Sequence, residues 1–135
     1  MESFNRHQLR YATVCVIYQD LLLKNKVNFS IKQAILDIFE VEEVEQIDEY
    51  AYQILKKYIN NKDRYIDEVS EHLVNFTFER LNMVEQAILI VAVIEMSLKQ
   101  VDKAVIINEA VELAKEYIAE EESYKFINGV LDNFG

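Results

Sequence analysis

Proline and tryptophan are absent from this 135-residue chain, glycine occurs twice and cysteine once. With almost nothing to punctuate turns, and half of the residues apolar, the sequence predicts helices joined by brief connections. The lone Cys15 excludes an internal disulfide and a cysteine-based metal cluster, and it suits a reducing compartment. The longest apolar run, Ala87 to Ile94, is eight residues, too short to cross a bilayer and too late in the chain to be a signal peptide. The expectation is a single cytoplasmic domain over residues 1–135, with no membrane contact. Gly-rich phosphate loops, HExxH and CxxC spacings and a nucleophile beside its base are also missing. No catalytic site, metal or cofactor is expected, and the chain does not read as an enzyme.

Cations are the other scarcity. Fourteen Lys and Arg face 24 Asp and Glu, for a formal charge of −10, which argues against broad, non-specific nucleic-acid binding. The balance is uneven. Residues 1–26 carry a local +2 and residues 27–135 carry −12, so an anion site belongs near the amino terminus and a basic protein partner suits the rest.

What is present is helical periodicity. Ser3 is placed to cap a first helix running to about Leu23, with Leu9, Val16 and Leu21 in its buried stripe. Arg6 and Arg10 are one turn apart with His7 beside them, so the three can project from one end; a solvated first turn is the plainer reading of such a cluster. Tyr11 and Tyr18 share a face and read as core-edge aromatics. Ser30-Ile31-Lys32-Gln33 has the form of a capping box and opens a second helix ending near Phe39.

From Glu40 to Glu49 there are six acidic residues and no basic one. They read as an exposed turn and a first helical turn, where negative charge suits the helix dipole; the spacing does not fit a calcium loop. A third helix stops at Asn60-Asn61 and a fourth covers 62–74, carrying His72 as a structural or surface histidine. Asn82 and Glu85 cap a fifth, apolar on nearly every side and therefore central. Asp102 caps a sixth, and the acidic joint Glu120-Glu121-Glu122-Ser123 leads into a seventh.

The last two helices hold the most distinctive letters. Ala110, Leu113 and Ala114, then Phe126, Val130 and Leu131, recur at three- and four-residue steps and mark packed faces. Gly129 interrupts the last helix at about 1 kcal/mol relative to Ala, which suggests a closely approaching backbone. Asn108 and Asn128 would be costly if buried unpaired, and the plain reading has them satisfy each other or a helix end.

Three runs carry a family resemblance: residues 80–89 (RLNMVEQAIL), 107–115 (INEAVELAK) and 123–132 (SYKFINGVLD), supported by Leu9-Arg10 through Ile17-Tyr18. They resemble the bacterial transcription antitermination factors of the NusB family. That resemblance implies an all-α fold of about seven helices in two packed bundles. It implies a binding function: pairing with the ribosomal protein NusE on the boxA element of ribosomal RNA leaders, then joining other Nus factors on RNA polymerase to suppress premature termination. Carried over by position, the RNA-contacting residues would be Arg6, His7 and Arg10, with Gln8 among them, and Glu122, Lys125 and Phe126. The partner-facing residues would be Tyr18 and Glu85.

The chain departs from the family pattern in places. His7 and Gln8 stand where arginine is common, Asp102 replaces a helix-opening proline, Ala104 replaces a lysine, and Phe76 takes the place of a tryptophan as a smaller core residue. A thin arginine cluster implies that the basic partner supplies much of the phosphate contact. Two other readings remain: a protein-only adaptor or homodimer with a weakened RNA surface, and a domain preceding a ribosomal RNA methyltransferase. The second would need a cofactor-binding strand-loop-helix, which these 135 residues do not contain.

Overall fold

Side chains that accept the first backbone N–H groups decide where these helices begin. The computed structural model describes residues 4–134. Its α-helices are α1 (Arg6–Leu23), α2 (Ile31–Phe39), α3 (Glu49–Glu71), α4 (Met83–Leu98), α5 (Lys103–Tyr117) and α6 (Glu121–Asp132), and there is no strand among the described residues.

Asn5, not Ser3, caps α1. Its side chain accepts from the Gln8 N–H while the Gln8 side chain answers the Asn5 N–H. Ser3 lies outside the described residues. Ser30 accepts from the Gln33 N–H as expected, but the Gln33 amide turns along the helix to Asp37, so the box is half formed. Asn82 and Glu85 close a full box on α4. Asp102 occupies the cap position of α5 without a side-chain bond; its backbone carbonyl alone takes the Val105 and Ile106 N–H groups.

The boundary expected at Asn60-Asn61 is present as a kink that joins two helical runs within the α3 span. Asn61 has non-helical angles (φ −139°, ψ 31°) and divides α3 into two runs. The join is held to α1 by charge. Tyr58, before the kink, donates its hydroxyl to the buried Asp20 carboxylate, and Lys62, after it, meets the same carboxylate at 2.7 Å.

Two bundles meet along α4. Helices α1, α2 and α3 form the first and α4, α5 and α6 the second, with α1 and α3 of the first and α5 and α6 of the second all packed on α4. Residues Ala87 to Ile94 are therefore buried all round, which is why this helix is apolar on every face. No helix of the described residues is long and apolar enough to cross a membrane.

Close packing of α5 on α6 needs no help from Gly129. A Cβ placed there meets nothing within 4 Å, and the residue is exposed, so the expected close approach of a backbone is corrected. Gly129→Ala is expected to raise stability by about 1 kcal/mol through helix propensity alone. A thermal melt checks this, and an unchanged or lower midpoint would contradict it. Asn108 and Asn128 do not pair with each other. Both are exposed, and Asn128 donates to Asp132 one turn on, at 3.4 Å.

Candidate nucleic-acid interface

The carried-over residues fall into two groups that the fold treats differently. The amino-terminal group begins on the first turns of α1. Arg10 is only 3% exposed, because the α1 stripe that buries Leu9 and Thr13 also turns this side chain onto α4. Its Nε donates to both Glu95 carboxylate oxygens at 2.9 and 3.0 Å. The Tyr50 hydroxyl of α3 donates to the same carboxylate at 2.5 Å, and Glu109 of α5 comes within 4.0 Å of the guanidinium. Burial pushes the Glu95 carboxyl up, against the pull of Tyr50 and Arg10. Arg10 thus joins α1, α3, α4 and α5 from inside, and the expectation that it projects toward RNA is corrected.

His7 is clamped rather than projecting. Its Nδ1 lies 2.7 Å from Glu109 and its Nε2 2.9 Å from Glu116. With a carboxylate at each nitrogen, both must donate, which favours the imidazolium. The Glu109 hydrogen bond, aided by the charge of both acids and opposed by partial burial, holds the imidazole above its usual 6.5. A raised folded value means stability that is complete below 6.5 and fades as pH rises through the folded value. An NMR titration of His7 is expected to give a midpoint above 6.5 that falls on Glu109→Gln; a midpoint at or below 6.5 would contradict the clamp. Arg6 alone of the three is exposed, with its guanidinium carbon 4.0 Å above the centre of the Tyr50 ring.

The carboxy-terminal group forms a groove. Its walls are the segment before α4 and the first turns of α6, and it has a volume of about 350 Å³ lined by Phe76, Arg80, Leu81, Asn82, Glu85, Ile118, Glu120, Glu122, Ser123 and Phe126. The wall before α4 is built around a short 3₁₀ turn, Phe78–Arg80. That turn is pinned by the buried Gln86 amide, which donates to the carbonyls of Phe78 and Leu81. Glu85 ties the two walls together, taking the Asn82 N–H at 3.1 Å and the buried Ser123 hydroxyl at 2.6 Å. Glu122 and Phe126 are one turn apart on α6 and open onto the same space. Lys125 stands outside it, exposed and 3.3 Å from Glu121, a surface pair worth little.

Phe76 is not the core residue that its type and position suggest. The structure puts it at the mouth of the groove, 56% exposed, with its ring in a T-shaped contact with that of Phe126, 5.6 Å between centroids and 68° between planes. A groove with two phenyl rings, three carboxylates (Glu85, Glu120, Glu122) and one cation, Arg80, repels phosphate. It fits the flat, uncharged face of a nucleobase, whose amino groups donate to carboxylates. Sequence reasoning missed Phe76 and Arg80 as site residues, although both sit in or beside the 80–89 run.

Tyr18 faces a different surface. It lines an apolar recess of about 230 Å³ between α1, α4 and α5 with Tyr11, Val14, Cys15, Val84, Ile88, Leu113 and Tyr117. Tyr11 and Tyr117 stack across its rim, 4.5 Å apart and 14° from parallel. Burial pushes the Cys15 thiol up, so it serves there as a small apolar group.

The architecture and the groove define a class, all-helical two-bundle proteins with an aromatic and acidic groove where the second bundle opens. The chain belongs to the NusB family, whose sequence model matches residues 7–135. The transcription antitermination protein NusB of Campylobacter concisus is 39% identical over 127 residues, 94% of this chain and 93% of that protein. NusB of T. maritima superposes with a TM-score of 0.79 at 26% identity, covering 97% of this chain and 90% of that one. A solved structure of the antitermination factors NusB and NusE in complex with dsRNA matches with a TM-score of 0.68 at 28% identity, over 94% and 92% of the two chains.

Proposed function

We propose that this chain is a non-enzymatic, cytoplasmic antitermination subunit that holds unpaired bases of a boxA-type RNA in the Phe126 groove while a basic NusE protein supplies most of the phosphate contacts. The observation that carries this is the lining of the groove, aromatic and acidic in a protein that is itself strongly acidic. Phe126 provides a stacking face and Glu122 an acceptor for exocyclic amines. Lys125 and the exposed Arg6 and Arg80 are the cations left to meet the backbone of the RNA. Arg10 acts inside the fold, and His7 is held at its surface by Glu109 and Glu116.

The partner docks by the Tyr18 recess, where apolar and aromatic groups offer buried area without charge. Glu85 contributes from the neighbouring groove by holding α4 to α6, its carboxylate already engaged by Asn82 and Ser123. The assembled pair then joins other Nus factors and RNA polymerase. A homodimer through the same recess is the competing use of that surface.

Binding of single-stranded boxA RNA with and without NusE tests this reading. Affinity is expected to rise strongly when NusE is added and to be weak for a duplex of the same sequence, in which bases stay stacked. No gain from NusE would overturn it.

A further inference from the structure

Among the large apolar side chains left exposed, Phe76 is seated at the groove. Single exposed apolar residues are ordinary on protein surfaces, so the exposure of Phe76 carries nothing by itself. Its surroundings do. The residue before it, Asn75, adopts a left-handed conformation at φ 67°, which bends the chain so that Phe76 leaves the core. The ring meets that of Phe126 edge to face, at 68°, an arrangement that covers one face of one ring only, whereas a parallel stack would hide a face of each.

From this geometry we propose that Phe76 is a second stacking residue of the RNA site, so that the groove takes two neighbouring unpaired nucleobases, one on Phe126 and one on Phe76. The inference rests on the reading of the groove given above and deepens it. Two bases in a strand cannot lie flat on two rings at 68° while still stacked on each other, so the pair selects RNA whose bases are already splayed. Arg80, the one cation of the lining, stands on the same wall as Phe76 and is placed for the phosphate between them. The neighbouring carboxylates discourage phosphates deeper in the groove and favour bases that carry amino groups.

The absence of tryptophan makes the test direct, since Phe76→Trp gives the chain a single indole. In the complex with NusE, boxA RNA is expected to quench the emission of that indole. Phe76→Ala and Phe76→Leu are expected to weaken RNA binding by about 5- to 150-fold, the loss of one stacked base. Phe76→Trp should bind at least as well as the parent. Partner affinity should not change in any variant.

If Phe126→Ala weakens binding but Phe76→Ala does not, and the indole emission of Phe76→Trp is indifferent to RNA, the second stacking site is wrong while the groove reading stands. If the parent complex gains no RNA affinity from NusE, both are wrong. If NusE alone shifts the indole emission and RNA adds nothing, Phe76 is a protein contact and the inference is overturned.

Discussion

Arg10→Ala is expected to lower the stability of the folded chain by about 3–5 kcal/mol, because it leaves the Glu95 carboxylate buried and without its cation. Glu95 is 2% exposed and, among the described residues, its oxygens otherwise accept only from the Tyr50 hydroxyl. For a chain of this size that corresponds to a fall in melting temperature of roughly 10–20 °C. Replacing both members by apolar residues, Arg10→Met with Glu95→Leu, is expected to recover most of the loss, as buried ion pairs are often no better than a well-packed apolar core. An Arg10→Ala melt within about 0.5 kcal/mol of the parent, the range of an ordinary surface change, would contradict the inward role. The salt slope of RNA binding discriminates as well. At a temperature where the variant is folded, it should match the parent, whereas losing a phosphate contact would flatten it by roughly one unit.

Phe126→Ala should leave NusE binding intact and weaken boxA RNA binding by the complex about 5- to 150-fold, the cost of one base–aromatic stack. Phe126→Tyr keeps the face of the ring and should retain most of the affinity. The loss belongs to the dissociation rate more than to the association rate, since electrostatic approach is set by charges elsewhere. Equal RNA affinity for Phe126→Ala and the parent would remove this residue from the interface.

Much of the fold is legible in the letters. The all-round apolar run from Ala87 to Ile94 announces a helix covered on every side, and α4 is that helix. Asn82 with Glu85 marks its start, and Asn60-Asn61 marks the kink between the two helical runs of α3. The family resemblance and the caps depend on local spacing, which a sequence displays openly.

The misreadings of Arg10 and His7 share a cause, in that each concerns a side chain whose fate depends on a residue far along the chain. Arg10 looks like a surface cation until Glu95, 85 positions later, is brought beneath it. His7 is clamped by Glu109 and Glu116 from α5. Phe76 reads as core by size, and only the left-handed turn at Asn75 and the position of Phe126 show that it faces out. Gly129 reads as a packing glycine by type, yet the space beside it is open. Of the candidate site, Glu122 and Phe126 are legible as one helix face, while the opposite wall, and with it the acidic and aromatic character of the groove, is not.

The central claim is that unpaired bases enter the groove between the segment preceding α4 and the start of α6. Backbone amide shifts of the isotopically labelled chain, bound to NusE and titrated with single-stranded boxA RNA, address it most directly. The largest changes are expected at Asn75 to Asn82 and at Glu122 to Ile127, with small ones along α2 and the middle of α3. Shifts confined to the amino-terminal turns of α1, with the groove residues unmoved, would contradict it.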